Sequence, residues 1–556
     1  MKCLFMKSYK FLCLVLLGTI IGSCSDDFLD FQPIAAESSG SFYLTMAQAE
    51  QAVTAAYSTL TSLTAWDMDI SIYLGDVPSP DCEAGGDYEN EVPGVEELNR
   101  FTLLPTSGII STAYGVLYRG IYFSNLAMEK IPQVLEVDES ASETTINIRI
   151  GELKFLRALN YLYLTHIWGE VPLVDHVLTS EEYFQPRAPL RDIFDLIEQD
   201  LLDAIQVLPE RSSLPSSSIG RATKGAAKAL LARMYLFESS YARYYDNDNR
   251  FVNLEERWDD VVEYCQQVIE SGEYELVGIN GETYNTWHGS GTDGFRYIFT
   301  VEGDNSLESV FEIQYIQDGL SYTYTRAGSA CQWVSPRYYI ADNGQSTLTP
   351  YWGLGWPTDA LVGTFDPDDP RLQTTVTTEG DSVEIGGGVR YPISFSNCPT
   401  GYYQNKYVLS AQQFADVQSH AWHKSPYNFK LIRYADVYLM AAEAELMLGR
   451  NDEALEYINT VRTRARMCGG TDNASPENLA SIDFDDIVDE RQMELACEGR
   501  RFWDLVRWNL ANEYISGTET AGGFLKQYES PKNDFMPLPA TEVAINNGVL
   551  EQYPGW

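Results

Sequence analysis

The sequence predicts an all-α protein, a helical repeat-like scaffold with long irregular aromatic-rich insertions and short strands. Three observations carry that prediction. Ile432, Ala435, Leu439, Ala442 and Leu446 recur at alternating intervals of three and four, which sets them on one helix face. Ala454, Ile458, Val461 and Ala465 continue the rhythm beyond Gly449. Two stretches, 66–105 and 275–428, break it with glycine, proline, aspartate and aromatic residues.

Gly449 is placed to end the first C-terminal helix in a left-handed turn, and Asn451 or Asp452 to cap the next. The passage Ala441–Leu455 thereby looks like a tetratricopeptide helix–turn–helix. Further helices are expected over about 46–63, 109–131, 145–167, 190–208, 222–240 and 256–271. The second of these should pair with the third and the fourth with the fifth. Ala226, Ala227, Ala229 and Ala232 allow close helix approach there. In 66–105, Gly75, Pro78, Pro80, Gly85, Gly86, Pro93 and Gly94 exclude a continuous helix, while Ser309–Tyr315 reads as a short strand. Loops of such length are functional or disordered, and their aromatic content argues for function.

The chain has 556 residues, 44% of them hydrophobic and 21% charged, which is enough to bury a large core. With 38 basic and 80 acidic side chains its net charge is −42, so nucleic acid is a poor partner and a strongly anionic ligand is disfavoured. Lys2, Lys7 and Lys10 precede an apolar run, Phe11–Leu17, and small residues before Cys24. That is the pattern of a secretory signal over 1–23, too short for a lasting transmembrane span. The segment resembles a bacterial lipobox, with Ile20 or Ile21 replacing the usual leucine. The resemblance implies lipidation of Cys24 and an acidic tether, Ser25-Asp26-Asp27, to the cell surface. Of nine cysteines, Cys82, Cys265, Cys331, Cys398, Cys468 and Cys497 remain beyond it, without any CxxC spacing, and are expected to be isolated buried thiols.

Motifs spread along nearly the whole chain resemble the SusD/RagB family of outer-membrane nutrient-binding lipoproteins of Bacteroidetes. They are Cys24–Asp30 with Pro33, Leu117–Asn125, Phe155–Tyr161, Trp168–Leu173, Lys224–Tyr235, Asp369–Arg371 and, most specifically, Glu490–Trp508. Pro537–Pro539, Glu542, Asn546 and Tyr553–Gly555 complete the series. The resemblance implies one SusD-like unit over 24–556. Its N-terminal helical part is 24–274, with a ligand loop at 66–105. The aromatic-rich insertion is 275–428 and the C-terminal helical part 429–556. It further implies a non-catalytic surface lipoprotein of the outer membrane. Such a protein binds a glycan and delivers it to a SusC-like TonB-dependent transporter. The RagB branch supplies the alternative of a peptide ligand.

The resemblance locates the ligand site in the first loop and the insertion without fixing its residues. Candidates there are Tyr88, Asn90, Trp287, Tyr322, Tyr324, Arg326, Trp333, Trp352 and Trp356, with Trp352–Trp356 expected in an exposed glycine-rich setting. An aromatic ring can cover the C–H face of a sugar while polar groups bind its rim. Base stacking is worth about 1–3 kcal/mol per ring, so a few rings would give about −4 kcal/mol, or millimolar affinity.

Catalytic and cofactor motifs are absent or out of context. Glu490, Glu494 and Glu498 recur at intervals of four beside several arginines, a pattern for structural ion pairs rather than for glycoside hydrolysis. Gly289–Gly294 matches GxGxxG but follows no hydrophobic strand. His420 and His423 lack a third zinc ligand nearby. No cofactor is expected. Asp246-Asn-Asp248-Asn249 and Asp366-Pro-Asp368-Asp369 read as solvated turns, with a structural calcium ion as the alternative.

Overall fold

The computed structural model describes residues 42–556 apart from 66–67, 88–90, 247, 287–288, 316–327, 329, 350, 385–388, 409–426, 469–471 and 473. The signal segment 1–23 and Cys24 lie outside the described residues.

The scaffold is a succession of antiparallel helices, each packed on the next. Helix α1 (Met46–Ser58) opens on Thr45, whose side chain closes a capping box with Gln48. Between α1 and the long helices lies α2 (Pro93–Arg100). Helices α3 (Gly108–Lys130) and α4 (Glu143–Trp168) pack together, as do α5 (Leu190–Val207) and α6 (Lys224–Tyr244), the pairings expected from periodicity. Helix α7 (Trp258–Ile269) joins α6 to the C-terminal pair, α8 (Tyr434–Met447) and α9 (Asn451–Met467). Ala226, Ala227, Ala229 and Ala232 of α6 are all fully buried, and their methyl groups let the neighbouring helices come close.

The turn after α8 carries out the expected chain reversal. Gly449 has φ +75°, its amide bonds to Leu446 O and the Arg450 amide to Glu445 O, the two bonds of a Schellman ending. The cap of α9 differs from expectation. Arg450, not Asn451 or Asp452, holds the N-cap position, and its guanidinium, which has donors only, makes no cap hydrogen bond.

Two short strand pairs bind the irregular segments to the scaffold. Strand β1 (Cys82–Gly85) in the first loop pairs antiparallel with β3 (Leu354–Pro357) in the insertion. Strand β2 (Ser309–Ile313) pairs with β4 (Phe429–Arg433), which leads directly into α8. Gly289–Asp293 forms one arm of a hairpin with Thr283–Thr286, not a phosphate loop.

The motif Glu490–Trp508 folds into α10 (Phe484–Leu495), a turn and α11 (Arg501–Arg507), and its charges form a buried lattice. Glu490 pairs with Arg371 at 2.5 Å and Arg462 at 2.7 Å. Glu494 meets Arg371 at 3.1 Å, Arg433 at 2.9 Å and also Arg464. Glu498 meets Arg433 and Lys406, both at 2.7 Å. Burial alone would raise the Glu494 carboxyl, but Arg464, Arg433 and Arg371 hold it well below the usual range. The three carboxylates are structural ion pairs, as their spacing beside arginine suggested.

All six cysteines beyond the signal segment are buried free thiols. They are not all isolated: Cys82 on β1 and Cys497 in the turn after α10 interact through their thiols and share one apolar cluster with Met493 and Leu361. Among the described residues no helix is long and apolar enough to cross a membrane.

Candidate functional site

Strand β1 ends where only glycine fits. Gly85 has φ +78°, and a Cβ there would lie 2.4 Å from Gly353 O. That close approach lets the first loop lie against the insertion, and polar contacts then fix it. Arg337 donates to Glu91 Oε1 at 2.6 Å and sits 4.9 Å above the ring of Trp352. Glu91 in turn accepts the Asp87 amide at 2.6 Å. Tyr338 and Asn397 both donate to the Asp87 carboxylate.

A C-terminal turn completes the junction. Gly522-Gly523 reverses the chain after Thr520, whose hydroxyl accepts the Phe524 amide at 3.1 Å. The Ala521 amide donates to Glu83 Oε1 at 2.7 Å, and the Gln527 amide to Arg100 O at 3.0 Å. Arg100, paired with Glu96 at 3.2 Å, stacks 3.6 Å above the Phe524 ring. Beneath the turn, buried Lys526 donates to Ser79 O at 2.6 Å and to Val77 O, and burial pushes its ammonium down to about 8.

These segments enclose a cleft of about 300 Å³ lined by Glu83, Asp87, Glu96, Asn99, Arg100, Trp356, Asn397, Thr520 and Phe524, among others. Phe524 is 38% exposed. Asn99 is 2% and Trp356 8% exposed, yet among the described residues Asn99 Oδ1 and Trp356 Nε1 have no hydrogen-bond partner. Two residues lining the cleft thus carry a buried acceptor and a buried donor without partners among the described residues, beside a partly bare ring. A hydroxyl is both donor and acceptor, so it is the group that answers both. Glu83, Asp87 and Glu96 outnumber the guanidinium of Arg100 on the walls, which disfavours an anion. Burial raises the Glu83 carboxyl, with the Ala521 amide opposing it.

Of the sequence candidates, Tyr88, Asn90, Trp287, Tyr322, Tyr324 and Arg326 lie outside the described residues, as do His420 and His423. The structure brings Trp333, Trp352 and Trp356 together around β3; of the Trp352–Trp356 segment expected to be exposed, Trp352 is half-buried and Trp356 is buried. Trp333 is 5% exposed, its ring 5.6 Å from Trp352 and 6.4 Å from Tyr73. Gly353 and Gly355, at φ +60° and +64°, fold the segment inward against β1 instead of projecting it. Trp333→Ala should therefore act on stability, lowering the unfolding free energy by about 3–5 kcal/mol in urea titrations. An unchanged midpoint would contradict its core role. Asn99, Arg100, Asn397 and Phe524 were missed. The one local signal was Gly522-Gly523 followed by Phe524-Leu525, an aromatic at the tip of a glycine turn.

The acidic turns have protein partners. Asp248 bonds to Arg250 and Asp369 to Arg371. Among the described residues no group of three or more histidine, cysteine, aspartate or glutamate side chains is arranged to hold a metal ion.

The loop's floor carries a titrating group. Asp76 accepts the Gly499 amide at 2.7 Å and the Arg500 amide at 3.1 Å, while burial pushes its carboxyl up to about 7. A folded value above the ordinary one of about 3.9 means that the native state holds a proton the unfolded chain has released. This stabilisation is complete below about pH 4 and is lost as pH rises through about 7. Between about pH 6 and 8 the protein should lose about 1 kcal/mol more unfolding free energy than Asp76→Asn. Equal losses in urea titrations at the two pH values would contradict the assignment.

A helical repeat scaffold, an irregular second layer and a polar–aromatic cleft where two loops meet define a class of architecture, and comparison with known proteins places it. A family model described as "SusD family" matches residues 306–556, and one described as "Starch-binding associating with outer membrane" matches 96–236. SusD-like protein P2 of Formosa agariphila is 24% identical over 573 residues, covering 99% of this chain and 100% of that protein. Among solved structures, a laminarin binding SusD-like protein superposes with a TM-score of 0.72 at 24% identity, covering 92% of this chain and all of that one. Surface glycan-binding protein A from Bacteroides thetaiotaomicron, in complex with laminarihexaose, gives 0.70 at 22% identity, covering 91% and 99%. The chain is thus similar to SusD-family proteins along most of its length, and its fold is the tetratricopeptide-like helical fold of SusD-like proteins.

Proposed function

We propose that this protein captures a neutral glycan at the cell surface, in the cleft between β1, β3 and the Thr520–Phe524 turn. It then passes the glycan to a SusC-like TonB-dependent transporter. One observation carries the reading: a buried acceptor, Asn99 Oδ1, and a buried donor, Trp356 Nε1, both without partners among the described residues, line the same cleft as the exposed Phe524 ring. A sugar hydroxyl satisfies both, and its C–H face can lie on the ring surface that Arg100 leaves bare. The glycan-binding relatives support the same ligand class. Nothing in the proposed role is cleaved. Glu83 accepts the Ala521 amide, Asp87 accepts from Tyr338 and Asn397, and Glu96 pairs with Arg100, so the cleft's carboxylates serve to hold its walls. No cofactor enters this role. Removal of residues 1–23 and lipidation of Cys24 would anchor the protein in the outer membrane beside its transporter, and two acyl chains suffice for stable anchorage. Globomycin treatment of expressing cells tests the anchor: the unprocessed precursor should accumulate, and normal processing would contradict lipidation.

A further inference from the structure

A second cleft lies away from the first and shares no lining residue with it. Its two lobes, about 170 and about 260 Å³, meet at Ile219, Gly220, Arg221 and Glu312. One lobe runs between the connection into α6 and strand β2, the other along the end of α1 past Tyr57 and Leu60. Neither reaches the lower end of ordinary ligand pockets alone, about 300 Å³, but joined they do.

The charges on its walls are already engaged. Arg221 pairs with Glu50 at 2.7 Å and Glu152 at 2.8 Å. Arg211 donates to the carbonyls of Asn305 and Ser306 at 2.6 and 3.2 Å. Glu312 accepts from Asn428 Nδ2 at 2.8 Å and from the Asn305 amide at 3.1 Å, and lies 3.7 Å from Lys430 Nζ. What stays open is a hydroxyl and an apolar surface. Ser309 is 7% exposed, and its Oγ has no hydrogen-bond partner among the described residues. Ile219, at the divide between the lobes, is 55% exposed. At Gly220, φ +91°, a Cβ would strike the Gln314 side chain at 2.4 Å, so the divide stays low.

A charged ligand entering here would lose its water against wall charges that are already paired. A wholly apolar one would leave Ser309 Oγ unanswered. An uncharged ligand with hydroxyls on its edge and a C–H face fits both conditions. We propose that this cleft is a second binding site for a short neutral saccharide, straddling Gly220 with Ser309 Oγ bonded to one of its hydroxyls. The inference rests on the glycan reading above. Its consequence is bivalency: a polymer that engages both clefts is held more tightly than either segment alone, provided its length spans them.

Hydrogen–deuterium exchange of residues 25–556 tests it, with maltohexaose, laminarihexaose and cellohexaose as probes at millimolar concentration. At least one probe should slow exchange in peptides from 211–223 and 305–314. That protection should persist in Asn99→Ala/Phe524→Ala, which disables the first cleft. Ser309→Ala should weaken the residual binding about fivefold, one hydrogen bond's worth. Ile219→Asp, at an exposed position, should abolish it with unchanged thermal unfolding. Protection confined to 83–100 and 520–525 would overturn the second cleft and leave the first standing. Protection nowhere would overturn both, and protection at 211–223 indifferent to Ser309→Ala and Ile219→Asp would overturn the assignment of this cleft.

Discussion

Glu494→Ala should lower the unfolding free energy by about 3–5 kcal/mol. Its carboxylate is fully buried and answers Arg371, Arg433 and Arg464 together. Removing it leaves three guanidinia facing one another in a low dielectric, with only their other partners to compensate. The control is an exposed pair. Asp259, whose side chain is 74% exposed, meets Arg450 at 2.6 Å, and Asp259→Ala should cost less than about 1 kcal/mol. Because the guanidinia depress the Glu494 carboxyl, its contribution is present above the ordinary carboxylate range and is lost as pH falls through the folded value. Urea titrations of the two variants side by side measure the contrast. Equal losses would mean that the lattice is no more than a crowded set of surface-like pairs.

Phe524→Ala and Asn99→Ala should each weaken glycan binding at this cleft about tenfold or more, and together abolish binding there. The first removes a ring worth about 1–3 kcal/mol by analogy with base stacking. The second leaves a ligand hydroxyl buried without its acceptor, a loss of about 1–3 kcal/mol. Neither substitution touches the buried lattice, so both variants should unfold near the parent midpoint. Trp333→Ala should show the reverse: a less stable protein whose folded fraction binds as before.

The contrast between these groups explains what could be read from the chain. The helices were legible because their signal is local: intervals of three and four, a glycine after α8, alanines along α6. The fate of Glu490, Glu494 and Glu498 was legible for a similar reason, since carboxylates one turn apart beside arginines have few other uses. The cleft was not. Whether Trp356 projects or turns inward depends on its pairing with Glu83, far away in sequence, and on a glycine at position 85 that permits the approach. The contribution of Phe524 depends on a longer reach still, through the bond from Ala521 to Glu83. Aromatic richness pointed to the two segments that meet at this cleft, but in a long insertion most rings form its own small core, as Trp333 does. The remaining candidates, Tyr88 and Asn90 next to Asp87 among them, lie outside the described residues.

The most direct test of glycan capture is affinity electrophoresis of residues 25–556 through gels cast with neutral and acidic polysaccharides. At least one neutral polymer should retard the parent protein, and the acidic ones should not. Asn99→Ala/Phe524→Ala should lose most of that retardation, keeping only what the second cleft supplies. Selective retardation by acidic polymers, retardation by none, or full retardation of the double variant would contradict the assignment of the cleft.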